Sequence, residues 1–234
     1  DCTEPEFIFD DGSYLLWEEP NPERTYVVGV DVAEGVGENA SVVQIFDFTD
    51  LTNITQVAVY CNNRISPYNF TTKLNEILEH WGNPLVAIER NNCGAQVVDN
   101  LHNNFGYNNL IHFSPTKSKT TSYNNRLGVV AHTNTKYKGV MNMRYWINEN
   151  RCVKFRDIKT INELKDFVRY PNGTWAAKRQ SGCLDDRVMS LVWCMIVLEE
   201  SVTEKHFEII SYDENNKPLK IQSFDYGIPK EMIS

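Results

Sequence analysis

No run of about eighteen apolar residues, the length a bilayer-crossing helix needs, occurs in this chain, and its start lacks a basic flank leading into an apolar segment. Neither a membrane span nor a signal peptide is indicated, the pattern expected of an intracellular protein. The six cysteines are scattered and form no CxxC pair, so a zinc ribbon and a disulfide framework both lack support. Several of them sit in apolar runs, as core thiols do. The five histidines form no HxxxH or HxH pair, no internal repeat is present, and no segment fits GxxxxGK[ST], the loop that cradles nucleotide phosphates. The histidines therefore read as structural or surface groups, and a P-loop finds no support.

What is there begins with a core. At 234 residues, 41% hydrophobic and 12% aromatic, the chain can bury one sizeable domain. Within it, Tyr26-Val27-Val28-Gly29-Val30-Asp31 is a β-branched apolar run that ends on an acid and breaks at Gly35, as a buried strand does when it delivers one carboxylate to a sheet edge. Alone, Asp31 reads equally as the start of a turn. The run Pro84-Leu85-Val86-Ala87-Ile88-Glu89 repeats the form, and Asp185-Asp186 opens Val188 to Leu198, apolar nearly all round and so a buried helix. Acids in a first helical turn also suit the helix dipole. Three apolar elements each carrying acid at one end, however, point to a metal site, because unpaired carboxylates beside a core are costly and a divalent cation offsets that cost.

The net charge of −8 argues against a polyanionic partner until its distribution is considered. Between Ile111 and Asn148 lie Lys117, Lys119, Arg126, Lys136, Lys138 and Arg144 with no acid at all, interleaved with Ser, Thr, Asn and Tyr. That composition contacts phosphate backbones as readily as it forms a solvated face. Beside a carboxylate cluster it reads as a groove for a polyanion.

In chain order, residues 1–25 read as a linker-like approach without chemistry. Residues 26–200 form the main domain, opening with an antiparallel meander at 26–32, 41–48 and 54–60. A helix from Ser66-Pro67 to Trp81, the second acidic strand, a helix over 94–105 and a short strand at 110–113 follow. Tyr137 to Asn150 and Thr160 to Tyr170 are further candidate helices. The Asn172-Gly173 dipeptide marks a β-hairpin near 168–180. The polar, turn-rich tail over 201–234 reads as a C-terminal extension.

Meander, helix-strand-helix-strand and late helices, with acids at those three places, resemble the ribonuclease H-like fold: α/β, a mixed five-stranded sheet with the antiparallel meander first and helices on both faces. Within that fold, Asp31-Val32-Ala33-Glu34-Gly35, Ala87-Ile88-Glu89 and Asp185-Asp186-Arg187-Val188-Met189-Ser190-Leu191, with Gly173-Thr174-Trp175-Ala176, resemble the nuclease domain of the large terminase subunit of myovirus-type tailed bacteriophages. The resemblance covers roughly residues 25–200.

It implies a metal-dependent endonuclease that cuts concatemeric double-stranded DNA by two-metal phosphodiester hydrolysis in the cytoplasm of an infected bacterium. Asp31, Glu89 and Asp186 would be the catalytic metal ligands, with Asp185 beside them and Glu34 and Gly35 supporting Asp31 from behind. Where some relatives carry a further acid, this chain has Asn39. Oxygen-only ligands select Mg²⁺ or Mn²⁺. Lys117, Lys119, Lys136 and Lys138, with Lys178 and Arg179 on the hairpin side, would hold DNA phosphates. The resemblance also implies portal, small terminase subunit and procapsid as partners, and no membrane. With no GxxxxGK[ST] motif, the chain is expected to cut DNA but not to pump it. A Holliday-junction resolvase or integrase-like nuclease keeps the same fold and acids. An actin- or sugar-kinase-like ATPase would bind nucleotide without needing Glu89. A silent docking domain would leave three acid clusters to repel one another.

Overall fold

The computed structural model describes residues 2–113, 127–202, 210–212 and 218–220. The central sheet is built from β3 (Tyr26–Asp31), β4 (Ser41–Asp47) and β5 (Ile54–Asn62), an antiparallel meander, with β6 (Leu85–Ile88) running parallel to β3. Each of these strands is buried over nearly its whole length, which is why each reads as a continuous apolar run and not as an alternation. Two helices pack on one face of the sheet. Helix α1 (Pro67–His80) starts where the Ser66 hydroxyl accepts from Asn69 N at 3.3 Å, with proline in its first turn. Helix α2 (Gly94–Phe105) ends on Gly106 in the left-handed region at φ 68°.

The sheet has seven strands where five were expected. Residues 1–25 are no bare linker: β1 (Phe7–Phe9) and β2 (Tyr14–Leu16) pair antiparallel, and β2 docks on β5. Tyr14, Leu16 and Trp17 are buried there, which drives the docking, but three-residue strands broken at Asp10–Gly12 carry too little period to read from sequence. The seventh strand, β9 (Val153–Lys154), runs parallel to β5. The strand expected at 110–113 reaches β6 only through a bridge at Leu110; β7 (His112–Phe113) pairs with β8 (Gly128–Val129) instead.

Helix α3 (Thr133–Arg144) begins a turn earlier than expected and passes into a π-helical turn over Tyr145–Glu149. Helix α4 (Ile158–Asp166) stops short of the expected Tyr170, because Phe167 enters β10 (Phe167–Arg169), the first arm of the hairpin completed by β11 (Trp175–Ala177). Gly173 N–H donates to Tyr170 O at 2.9 Å and Gly173 has φ +85°. The hairpin therefore turns through three residues with a left-handed glycine. Of the C-terminal extension, α5 (Asp186–Val202) takes the start, and β12 (Ile210–Tyr212) and β13 (Pro218–Lys220) pair with each other; the rest lies outside the described residues.

Two cores flank the sheet. Val28, Val30, Val43, Ile45, Val86 and Ile88 face α1 and α2, while Val27, Phe46, Leu85 and Ala87 face α3 and α5. The period-two alternation sends Gly29 and Asp31 of β3, and Glu89 beyond β6, to the α5 side. Gly29 lets α5 lie directly on the strand: a Cβ there would stand 2.0 Å from Ser190 O and 2.7 Å from Cys194 N. The Ser190 hydroxyl donates to Gly29 O at 2.8 Å, and that hydroxyl is fully buried. Gly29→Ala is therefore expected to lift α5 off β3 and destabilise the fold by about 3 kcal/mol or more, measured as a fall in the urea midpoint. An unchanged midpoint would refute the close seating.

Candidate active site

Parallel pairing in register fixes the first two acids. Val27 stands opposite Leu85, Gly29 opposite Ala87 and Val30 opposite Ile88, so Asp31 and Glu89 emerge side by side at the C-terminal ends of two adjacent strands. Glu89 N–H donates to Val30 O at 3.1 Å, which continues the ladder to the acid itself. The third acid arrives with α5. Since Ser190 is tied to Gly29, Asp186, one turn earlier on the same helical face, lies over the strand ends.

Glu89, Asp186 and Asp185 each have a donor of their own. The indole Nε1–H of Trp193, two turns down α5 from Asp186, donates to Glu89 Oε2 at 3.1 Å. Ala40 N–H, at the entry to β4, donates to Asp186 Oδ2 at 2.8 Å. Asp185 Oδ2 accepts from Ala177 N–H of the hairpin at 3.3 Å. The carboxyls of Asp31 and Glu89 lie close enough to act on one another, which favours keeping a proton on Asp31. The acids are turned to these donors, and among the described residues no three Asp, Glu, His or Cys side chains are drawn in to metal-holding distance.

Electrostatically they form one cluster. Asp31 is only partly covered as a residue, but burial of its carboxyl raises its pKa well above the ordinary value, and the charges of Glu89, Asp186 and Asp185 push it further. Burial raises Glu89 as well, against the hydrogen bonds from Asp31 and Trp193 and the nearby charge of Lys136, which all lower it. Burial likewise lifts Asp186 to about 6, with Glu163 and Asp185 adding to the rise and the Ala40 N–H opposing it. Carboxylates strained in this way are met by a hard divalent cation with oxygen preference, and every donor here is a carboxylate oxygen. In donor chemistry the residues present suit such an ion, although the carboxylates would have to draw together to hold it.

The remaining expected positions divide. Gly35 has φ +79° and a Cβ there would stand 2.3 Å from Ile65 O, so the turn after Asp31 demands glycine. Glu34 is exposed, and no described hydrogen bond ties it to Asp31; its charge reaches Cys93 instead. Lys136 stands close enough for its charge to act on Glu89, with its Nζ 6.0 Å from the Phe167 ring at the hairpin base. It gets there because α3 runs parallel to α5: Gly139 packs on Val192, and Asn142 donates to Met195 O. Lys138 is exposed on the same helix. Lys178 pairs with Asp166 at 2.8 Å and the Arg179 guanidinium stacks 4.9 Å from the Tyr170 ring, so the hairpin's cations are engaged locally. Lys117 and Lys119 lie outside the described residues. Sequence reasoning missed Ala40, Trp193 and Glu163. Only Trp193 left a signal, its spacing of seven from Asp186 placing both on one helical face.

A family model described as a terminase RNase H-like domain matches residues 28–198. Among solved structures, the large terminase nuclease of thermophilic phage G20c with bound magnesium is 19% identical, with a TM-score of 0.59 over 83% of this chain and 92% of that one. The same nuclease with bound cobalt is 20% identical at a TM-score of 0.59, over 83% and 92%. The large terminase nuclease domain of Thermus phage P74-26 is 19% identical at a TM-score of 0.57, over 82% and 88%. These likenesses establish the fold.

The raised pKa values make a testable link between pH and stability. A carboxyl whose native pKa exceeds its unfolded value of about 4 holds a proton that the unfolded chain releases, so stability falls as pH climbs. The loss starts near the unfolded value, passes about 6 as Asp186 ionises, and continues while Asp31 keeps its proton. Asp31→Asn, which mimics the protonated form, should match the metal-free wild type at about pH 4 and exceed it in stability at about pH 7. Urea titration of both proteins checks this, and the difference cancels exposed carboxylates such as Asp50 and Asp166, whose pKa values shift the other way. Equal midpoints at both pH values would contradict the cluster's electrostatics.

Proposed function

The chain belongs to the family of terminase RNase H-like domains, and from that premise we propose that it is a Mg²⁺- or Mn²⁺-dependent endodeoxyribonuclease that cuts viral double-stranded DNA during packaging. Asp31, Glu89 and Asp186 are its metal ligands and Asp185 stands by them. The observation that carries the reading is the register of β3 and β6, which sets two carboxyls side by side beneath a third from α5. The metal-bound nucleases among its structural relatives support it without fixing the ion used here.

When bound, a pair of such ions supplies an acidified water for attack on the phosphodiester and neutralises the departing 3′ oxygen. The chain's own residues do the rest. Asp31, whose proton burial and the neighbouring acids favour, would have to lose it to hold a cation, so metal affinity should rise with pH. Trp193 orients Glu89, and the Ala40 N–H orients Asp186. Lys136, beside Glu89, offers its ammonium to a phosphate of the bound strand. Lys138 on the same helix, Lys117 and Lys119 in the basic segment, and Lys178 and Arg179 once released from Asp166 and Tyr170, extend that contact along the backbone. Such contacts carry no base information, which suits cutting with little sequence preference. Portal, small terminase subunit and procapsid are the partners this role calls for.

Purified chain should nick and linearise supercoiled plasmid in Mg²⁺ or Mn²⁺ and leave it intact in EDTA. Asp31→Asn, Glu89→Gln and Asp186→Asn should each lose about 100-fold or more in rate. Intact plasmid under every condition, beside cleavage of a four-way junction, would favour a resolvase instead. Lys136→Ala should weaken DNA binding for all sequences alike and reduce the log–log salt slope by about 1. A slope unchanged in a titration from low to high salt would remove Lys136 from the DNA path.

A further inference from the structure

The first turn of a helix leaves backbone N–H groups without intrahelical partners, and an Asp at the N-cap position ordinarily accepts from them. In α5 that position belongs to Asp185, whose carbonyl accepts from Met189 N–H at 2.7 Å as an N-cap carbonyl should. Its carboxylate does not cap. It accepts instead from Ala177 N–H across the chain, on the side of the acid cluster.

The orphan donors go elsewhere. Glu163 of α4 accepts from Arg187 N–H through Oε2 at 2.7 Å, and the neighbouring Val188 N–H lies near enough to favour its charged form. Its other oxygen takes the Arg187 guanidinium at 2.9 Å, and that guanidinium reaches Asp157 at 3.1 Å. Asp157 is itself fixed by the Lys159 and Thr160 N–H groups and the Thr160 hydroxyl. Gln44 closes the frame from the sheet, donating to Arg187 O and accepting from Gln56. Gln44, Gln56, Asp157 and Thr160 are buried, and the side chains of Arg187 and Glu163 are each only 11% exposed. An ionic frame this deep gains little stability over an apolar one of equal volume; what it can fix is a unique position.

We infer that Glu163 is a positioning residue that caps α5 in place of Asp185 and so frees the Asp185–Asp186 doublet to face the metal site. The inference rests on the nuclease reading and adds to it a residue that touches neither metal nor DNA. With the cap removed, the Asp185 carboxylate turns back to the Arg187 and Val188 N–H groups and leaves the cluster.

The test is Mn²⁺ binding to the full chain, followed by electron paramagnetic resonance or calorimetry, in wild type, Glu163→Ala, Asp185→Ala and the double variant. Glu163→Ala should melt cooperatively and bind Mn²⁺ about 10-fold more weakly. Asp185→Ala should weaken binding in the wild-type background and add nothing in the Glu163→Ala background, the coupling expected when one residue acts through the other in a chain that still melts cooperatively. Glu163→Gln, whose amide oxygen still accepts one N–H, should fall between wild type and Glu163→Ala, and serves alone if the alanine variant does not fold. Wild-type affinity in Glu163→Ala, or in Glu163→Gln if that variant stands alone, would overturn the inference, as would an equal Asp185→Ala penalty in both backgrounds. If Asp31→Asn also binds like wild type, or wild type binds no Mn²⁺, the metal reading falls first and this inference with it.

Discussion

The direct contact of α5 with β3 at Gly29 is what everything else at the site depends on. A helix lying on a sheet ordinarily stands off by the depth of its side chains, about 10 Å between layers. Here the strand presents a glycine, and Ser190 closes the gap with a hydrogen bond to its carbonyl. Asp186 is one turn from that anchor and Trp193 is one turn beyond it, so a single seating sets one acid over the strand ends and gives a second acid its donor. The strands contribute the complementary constraint. Parallel register between β3 and β6 leaves no freedom in which face Asp31 and Glu89 share.

Gathering these acids is unfavourable for the fold, and the surrounding chemistry shows how that is contained. Burial favours a proton on Asp31, Asp186 takes a backbone donor, and Lys136 brings one positive charge to Glu89. On the far side of the Asp185–Asp186 doublet, Arg187 faces away from the cluster into a frame of Glu163, Asp157, Gln44 and Gln56. The N-terminus of α5 thus separates two opposite environments, one rich in uncompensated acid and one fully paired. Stability is given up on the first side and position is fixed on the second, the pattern expected where a site needs preorganised ligands.

Much of this was legible in the sequence for a physical reason. Strands buried on both faces read as continuous apolar runs, and acids that end such runs have few structural uses, so Asp31, Glu89 and Asp186 stood out before any coordinates. The meander, α1, α2 and the late helix follow from period and caps in the same way. The misses share a cause too. β1, β2 and β9 are two or three residues long and held only by what they pair with, and the exit from α4 into β10 at Phe167 is decided by the hairpin. Ala40 acts through its backbone, which no side-chain motif records. Glu163 lies 24 residues before Arg187 and reaches its N–H only through the α4–α5 contact. Glu34, legible as part of a motif, is exposed.

The measurement that bears most directly on the account is diffraction at the manganese edge from crystals of the full chain soaked in Mn²⁺. Anomalous density in contact with the carboxylates of Asp31, Glu89 and Asp186 is the predicted result. Strong density elsewhere, or none at saturating Mn²⁺ with those side chains still on their Ala40 and Trp193 donors, would contradict it.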